Sequence, residues 1–548
     1  MKRVKFLTGL ISVLFAAVVS LGFLTYNRVD NHDPKSFSTE NVTRDIRIIS
    51  KEHHSILHPE QRADVREYLA ASLERAGGAP QIFMYDSFPS KFGGTFDAGN
   101  VYCCFNPYGK DIADSYILLM AHMDSRFYEE VRGKRVLSYG AADDGYGLGI
   151  ILELVRGALQ YRGEWKQGIK VLFTDAEEHE LDGIRLALEK QNHIFDNVGL
   201  VINIEARGVK GPALLFETSE GNSRLLDFYT GNAQYPYTYS LTSAVYRFMP
   251  NFTDFTWTRP LFPGYNFSVI DGYECYHTDL DNFSNINTKS IGHYGAQIQP
   301  LVHEFLTNDR YADPHYFRAG EDKIAFTVPG ITTFLLSRNA NIILNAVFLV
   351  LFLVTVAMFH LMGRIRAGRI VSRIILQLAT IVTVAAIGTG IAWISAKISG
   401  TPFSLTATRH VPGASAISYS VMGIFCLGYI AFFLKKAKKS QDFVFEHIFA
   451  ALAIMIAISA VLLFTLGDNF FLMFPVACAT TAMFLHMFVY MNIFSLPATI
   501  LVSMTAVSFL YNILTALTIG SLGIVLSMML PYMILTVSLF YCFMVQKR

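Results

Sequence analysis

The chain has 548 residues, 52% of them hydrophobic and only 16% charged, against roughly 25% charged in an ordinary soluble domain. With a mean hydropathy of +0.35, this excludes a disordered, collagenous or wholly water-soluble protein and leaves a membrane protein of several structural units. Of the 45 Lys+Arg and 44 Asp+Glu, 13 and 3 lie from Ser337 onward, leaving 32 and 41 before it. The basic residues of the second part stand between apolar stretches, where they report membrane topology, so no nucleic acid is expected as a partner.

The first apolar run, Phe6 to Tyr26, follows Lys2, Arg3 and Lys5. It is long enough to cross a bilayer and lacks a small-residue cleavage site after it, so residues 1–30 are expected to be an uncleaved signal anchor. Residues 31–335 are mixed and polar, the pattern of a soluble domain. Residues 336–548 are expected to form an all-α membrane domain, with spans near Ile342 to Met362, Ile374 to Ala396, Ser415 to Leu434, Phe443 to Leu466, Phe470 to Tyr490, Leu496 to Ala516 and Gly520 to Phe543. With the anchor that makes about eight spans. Arg364, Arg366, Arg369 and Arg373 lie in one loop, Lys435, Lys436, Lys438 and Lys439 two spans later, and Lys547 with Arg548 at the end. The positive-inside rule then puts both termini in the cytoplasm and the soluble domain outside it, in a bacterial periplasm or an organelle lumen. Glu446 and His447 fall near a span end, an interfacial position rather than a transport pathway. Cys103, Cys104 and Cys275 are spaced for no readable disulfide framework; a Cys275 bridge to Cys103 or Cys104 and free thiols are both open.

In the soluble part, Pro59 opens a helical run through Tyr68, Leu69 and Leu73 that Gly77 and Gly78 stop. Apolar runs then end, one after another, in acidic or imidazole side chains. Residues 116–121 lead into His122 and Asp124, residues 169–174 into Asp175, Glu177 and Glu178, and residues 200–204 into Glu205. Between the first two, Asp143, Asp144 and Gly145 open the apolar helix Leu148 to Leu159. Strand, loop, helix, strand is the order of an α/β layered domain, whose ligands collect beyond the carboxyl ends of the strands. His122, Asp143, Glu178, Glu205 and His277 offer two imidazoles and three carboxylates, the mixture that zinc accepts, and one shared carboxylate would make a two-metal site. Asp124 is placed to take the other N–H of His122, and Glu177 to take a proton from activated water. His179-Glu180 begins like a helical zinc-protease motif, but position 183 is Gly and the second His is missing.

The ordered motifs Ala121-His122-Met123-Asp124-Ser125, Gly140-Ala141-Ala142-Asp143-Asp144-Gly145, Glu177-Glu178, Asn203-Ile204-Glu205-Ala206-Arg207-Gly208, Thr253-Asp254-Phe255 and Tyr276-His277-Thr278 resemble the co-catalytic zinc aminopeptidases of the bacterial leucyl aminopeptidase type. The following membrane region resembles their membrane-bound endoplasmic-reticulum and vacuolar branch. The resemblance implies an α/β/α sandwich with a mixed sheet and two Zn2+ per chain. It implies that His122 and Glu205 hold one zinc, Glu178 and His277 the other, that Asp143 bridges them, and that Glu177 is the general base. It also implies a cis peptide between Asp143 and Asp144, with Asp144 supporting the site from behind. Glu205 stands where many secreted members have Asp, and Tyr146 where a small residue is common. Tyr146 is a candidate for narrowing the substrate pocket or for simply packing the helix, and Arg207, Glu217 and Asp254 are candidates for the substrate side, with structural ion pairing the favoured reading for each of these three.

The function expected is a membrane-anchored di-zinc aminopeptidase acting on peptide substrates outside the cytoplasm, with the lipid bilayer as its other partner. Two alternatives stand: a glutaminyl cyclase-like or inactive relative of the same fold, and a peptidase-like binding module serving the membrane domain. The charge pattern makes a direct prediction: a topology reporter fused after Leu306 will read extracytoplasmic, and one fused after Lys439 cytoplasmic. A cytoplasmic signal at Leu306 would reverse the whole orientation.

Overall fold

The computed structural model describes residues 37–247, 251–329, 331–488 and 492–544, and before them 7, 9–11 and 14. Apart from those few positions, the expected anchor Phe6 to Tyr26 lies outside the described residues. Packing divides the chain into two compact units, one of them Thr25–Ala325 and the other carrying Phe326–Arg548.

The first unit begins with α1 (Thr39–Ile49) and α2 (Pro59–Arg75). Ser38 caps α1, its hydroxyl accepting from Asn41 N at 3.2 Å. Pro59 occupies the first turn of α2, and Gly77 (φ +85) lets the chain leave the helix in the left-handed conformation. Then follow β1 (Gln81–Pro89), β2 (Thr95–Phe105), β3 (Tyr116–His122), the short ribbon β4 (Glu129–Val131) and β5 (Lys134–Val136), α3 (Gly145–Leu159), β6 (Gly168–Thr174), the single turn α4 (Glu177–Glu180), α5 (Asp182–Lys190) and β7 (Val198–Ala206). The unit continues with β8 (Leu214–Thr218), α6 (Ser223–Asn232), α7 (Ser240–Tyr246), α8 (Phe255–Thr258), β9 (Gly264–Val269) and α9 (Thr288–Thr307).

Seven of these strands form one mixed sheet in the order β1-β2-β6-β3-β7-β9-β8. The central four, β6, β3, β7 and β9, are parallel, and every residue in them is buried, as a parallel sheet covered on both faces requires. On one face Leu181, Ile184 and Ala187, at and within α5, pack on Tyr102, Leu118, Met120, Leu172 and Val201. On the other face α3 packs on β3 and β7, with α1 and α9 outside it. Gly147 permits that close approach: a Cβ there would stand 2.8 Å from the Ala121 Cβ. The result is the expected α/β/α sandwich.

The turn after β6 is anchored by a buried ion pair. Asp175, fully buried, accepts from Arg66 Nη2 at 3.1 Å and from Gly99 N at 2.7 Å, and Arg62 Nη1 lies 3.5 Å away. Its other oxygen accepts from Ala176 N at 2.9 Å. All six cysteines are free thiols, so no bridge joins Cys275 to Cys103 or Cys104.

The chain then runs through the ribbon β10 (Lys323–Val328) and β11 (Thr332–Ser337) into α10 (Arg338–Leu361), α11 (Ala367–Ile398), α12 (Ala414–Ala437), α13 (Gln441–Leu466), α14 (Phe470–Phe488), α15 (Ser495–Leu517) and α16 (Leu522–Met544). Among the described residues six helical segments are long and apolar enough to cross a membrane. The last of them, Ser495–Met544, is broken by a tight turn at Thr518–Ser521 into α15 and α16, which pack on each other. Helices α11 and α16 meet through small residues, a Cβ on Gly388 falling 2.7 Å from the Gly523 Cα. This is the backbone approach that drives helix association where lipid removes the hydrophobic gain. Glu446, buried near the start of α13, lies 3.6 Å from Arg369 and 3.9 Å from Arg373 of α11, an ion-paired position where an interfacial one was expected.

Replacing Asp175 with Ala leaves two buried guanidinium groups uncompensated, a loss on the order of 3–5 kcal/mol. The thermal midpoint of the Thr25–Ala325 unit, followed by tryptophan fluorescence, should fall by about 10 °C; an unchanged midpoint would remove the anchoring role of the pair.

Candidate active site

Sheet order decides which side chains can meet. Because β6, β3, β7 and β9 are neighbours and parallel, their carboxyl ends open on one crevice, the place where such sheets bind ligands. His122 is the last residue of β3 and Glu205 the penultimate residue of β7, while Glu177 and Glu178 open the turn α4 after β6. His277 follows β9 and Asp143 precedes α3, where the Asp143–Asp144 peptide is cis. Ala176 (φ +58) and His277 (φ +61) are left-handed, a conformation that costs about 1–3 kcal/mol per residue and gathers at functional sites.

The five expected metal-binding residues converge. His122 Nε2 lies 3.3 Å from Asp143 Oδ1 and 3.8 Å from Glu205 Oε2. His277 Nε2 lies 3.3 Å from Asp143 Oδ2 and 3.0 Å from Glu178 Oε1. Two triads result, His122/Asp143/Glu205 and Asp143/Glu178/His277, each with its ligand atoms within 4.8 Å of one another. Tetrahedral zinc with bonds of about 2.0–2.2 Å sets its ligand atoms roughly 3.3–3.6 Å apart, and the four histidine–carboxylate separations, 3.0 to 3.8 Å, straddle that range.

The donor chemistry fits a cation as well. His277 Nε2 and Glu178 Oε1, buried and 3.0 Å apart, form no hydrogen bond of good geometry with each other or with any other described residue, although an imidazole and a carboxylate ordinarily find a well-aligned partner. Burial, reinforced by the nearby carboxylates, raises the Glu177 carboxyl well above its ordinary range and Glu205 to about 8. Burial alone would lower His122, but its contacts with Asp124 and Asp143 raise it well above the imidazole range. Burial would also lower His277, but Glu178 beside it and Asp143 raise it to about 9. Glu178 goes the other way: burial opposes its ionisation, and the charges of His277 and Arg126 overcome burial. A buried crevice this rich in carboxylate calls for positive charge.

Asp124 supports the cluster differently from expectation. Its backbone carbonyl, not its carboxylate, receives His122 Nδ1, at 2.9 Å against 3.6 Å. The carboxylate instead accepts from Glu177 N at 2.9 Å and Glu178 N at 3.2 Å, fixing the turn that carries both glutamates. Asp144 caps α3, accepting from Gly147 N at 3.0 Å. Tyr146 is a correction to the substrate-side reading: it is fully buried, and its hydroxyl donates to Val209 O at 2.6 Å and accepts from Asn287 N at 2.7 Å, so it packs α3. Arg207 donates to the Tyr246 hydroxyl at 3.0 Å and lies against the rings of Tyr246 and Tyr276. Asp254 is buried with Oδ1 unpartnered among the described residues, and Thr174 donates to its Oδ2. Glu217 pairs with Arg259. His179 turns away from the crevice, its Nδ1 2.6 Å from Asp182 Oδ2 and its Nε2 accepting from Lys91 N.

Sequence reading missed three contributors. Arg126 donates to Glu178 Oε2 at 3.0 Å and to the Glu178 carbonyl at 3.1 Å. Asp281 takes Ala142 N at 2.7 Å and Asp143 N at 3.3 Å, while burial and Asp143 raise its carboxyl to about 7. Asn203 donates to Glu205 Oε1 at 3.1 Å; only this one had a signal, standing two residues before Glu205 on the same strand face.

The fold is an α/β/α sandwich with two groups of histidine and carboxylate at its strand ends that could each hold a metal ion. Residues 100–302 match the profile of Peptidase family M28. The chain is 26% identical over 312 residues to endoplasmic reticulum metallopeptidase 1 of Mus musculus, covering 56% of this chain and 33% of that protein. It is 24% identical over 435 residues to the vacuolar membrane protease of Paracoccidioides lutzii, covering 71% and 41%. It thus spans about a third to two fifths of the length of these relatives. Among solved structures, a Zn-dependent exopeptidase from Parabacteroides distasonis is similar over 49% of this chain and 98% of that one, with 18% identity and a TM-score of 0.40.

Replacing His277 or Asp143 with Ala should reduce bound zinc, measured by elemental analysis of the purified chain, and Asp143→Ala should lose more because its two oxygens face both triads. Full zinc content in both variants would move the metal site elsewhere.

Proposed function

We propose that this protein is a membrane-anchored di-zinc aminopeptidase that removes residues from the amino ends of peptides outside the cytoplasm. The observation that carries this reading is Asp143, whose Oδ1 and Oδ2 each stand 3.3 Å from a different histidine, the disposition of a carboxylate shared by two ions. His122 and Glu205 would hold one zinc, Glu178 and His277 the other. When bound, the zinc pair supplies Lewis acidity towards the scissile carbonyl and makes water acidic enough to react near neutral pH. Glu177 accepts the proton of the attacking water and passes it to the departing amine. Asp124 keeps Glu177 in place by its hydrogen bond to the Glu177 backbone. The excess of carboxylates around the cluster, Glu177, Glu205 and Asp254 among them, suits the protonated amino end of a peptide.

The relatives support the membrane context in their names alone, as an endoplasmic reticulum metallopeptidase and a vacuolar membrane protease. The domain plan is an anchor in residues 1–30, a peptidase domain over 31–335 and a membrane domain over 336–548. In this reading α10 to α16 are seven spans and the anchor an eighth, with both termini cytoplasmic and the peptidase domain in the periplasm of a bacterium or in an organelle lumen.

Glu177→Gln tests the chemistry. An amide of nearly the same shape leaves the metal-binding residues intact but cannot take the proton, so zinc content should stay parental while turnover of aminoacyl reporters falls about 10²- to 10⁴-fold. Glu178→Gln should lose zinc instead, since an amide is the poorer ligand. Parental turnover in Glu177→Gln together with full zinc in Glu178→Gln would reverse the assignments and favour a binding module.

A further inference from the structure

Three neighbouring strands carry a polar side chain at one rung of the sheet. Asn203 of β7 is in register with Asn266 of β9, and Asn266 with Glu217 of β8. All three side chains are buried and joined in a string. Asn203 Nδ2 donates to Asn266 Oδ1 at 3.0 Å, Asn266 Nδ2 donates to Glu217 Oε2 at 3.2 Å, and Arg259 donates to the other Glu217 oxygen. Asn266 Nδ2 also reaches Thr253 Oγ1 at 2.9 Å. At the opposite end Asn203 Nδ2 donates to Glu205 Oε1 at 3.1 Å.

The string has only one workable polarity. A primary amide donates from nitrogen and accepts at oxygen, and an ionised carboxylate only accepts. Glu217, paired with Arg259, is the accept-only end, so Asn266 must turn its NH2 towards Glu217 and its oxygen towards Asn203. Asn203 must then turn its own NH2 towards that oxygen, and the second hydrogen of the group serves Glu205. Flipping Asn266 sets its oxygen against Glu217, and flipping Asn203 sets its oxygen against that of Asn266. Asn203 Oδ1 is left without a partner among the described residues, so local bonding of Asn203 does not account for its orientation; the polarity of the string does. Glu205 Oε1 is thereby occupied, and Oε2, the oxygen facing His122, is the one left free.

We propose that Glu217, acting through Asn266 and Asn203, is a positioning residue that presents Glu205 to its metal ion through a single oxygen. The proposal rests on the reading of His122, Asp143 and Glu205 as one half of a two-metal site. Glu217 itself touches neither metal nor substrate.

The test uses the full chain in detergent, loaded with zinc for chelator competition and with Co2+ for its visible spectrum, which reports coordination geometry. Glu217→Gln puts an amide between two donors, Arg259 and Asn266, and should invert or break the string. One of the two ions should bind about 10- to 100-fold more weakly, with a changed cobalt spectrum, and the other should be unaffected. Glu217→Asp keeps the accepting charge and should restore much of the affinity. Arg259→Met leaves the demand on Asn266 in place, so it should lower thermal stability but keep the parental affinities and spectrum. Should Glu217→Gln fail to fold, Asn203→Leu removes the last donor without adding charge and should produce the same selective change. Parental affinity and spectrum in folded Glu217→Gln or in Asn203→Leu, or an equal loss in Arg259→Met, would overturn the proposal alone. A parental chain that takes up no metal would overturn the reading of the site and the proposal with it.

Discussion

The unit Thr25–Ala325 is organised around buried negative charge. Asp124, Asp143, Asp144, Glu178, Glu205, Asp254 and Asp281 are all buried near the carboxyl ends of the parallel strands, where ionised carboxylates stripped of water are expensive unless each finds a donor or a cation. The fold meets that demand one group at a time. Asp124 takes two backbone N–H groups of the following turn, Asp281 takes two from the Asp143 loop, and Asp144 takes the first turn of α3. Among the described residues the oxygens left over include those of Asp143, Glu178 and Glu205 that face the two histidines, together with Asp144 Oδ2 and Asp254 Oδ1.

These donors also set how many oxygens each carboxylate has left. Arg126 takes Glu178 Oε2, and Asn203 takes Glu205 Oε1. Asp143 is held by its backbone, and its two oxygens each face a different histidine at 3.3 Å. The supporting residues therefore define the site as much as the residues that would touch metal.

In the second unit the same physics acts with lipid in place of water. Apolar helices gain little by hiding from one another, so contacts such as Gly388 with Gly523 depend on close backbone approach. Glu446 is tolerated because Arg369 and Arg373 lie beside it.

The sequence by itself determined the elements and the chemistry. Runs that end in His122, Glu178 and Glu205 read as buried strands because strands covered on both faces are continuously apolar. The mixture of imidazole and carboxylate at their ends named a metal before any distance was known, and long uncharged stretches marked the membrane helices. Tertiary structure alone decided which donor answers which carboxylate. Arg126, Asp281 and the Asn266-Glu217 rung come from other loops and strands, so spacing along the chain carries no trace of their pairing. It also decided that Asp124 works through its carbonyl on His122 and that Tyr146 packs a helix instead of lining a pocket. Hydrogen bonds are satisfied by proximity in space, and proximity was set by sheet order and register, which bring residues far apart in the chain within 3 Å of each other.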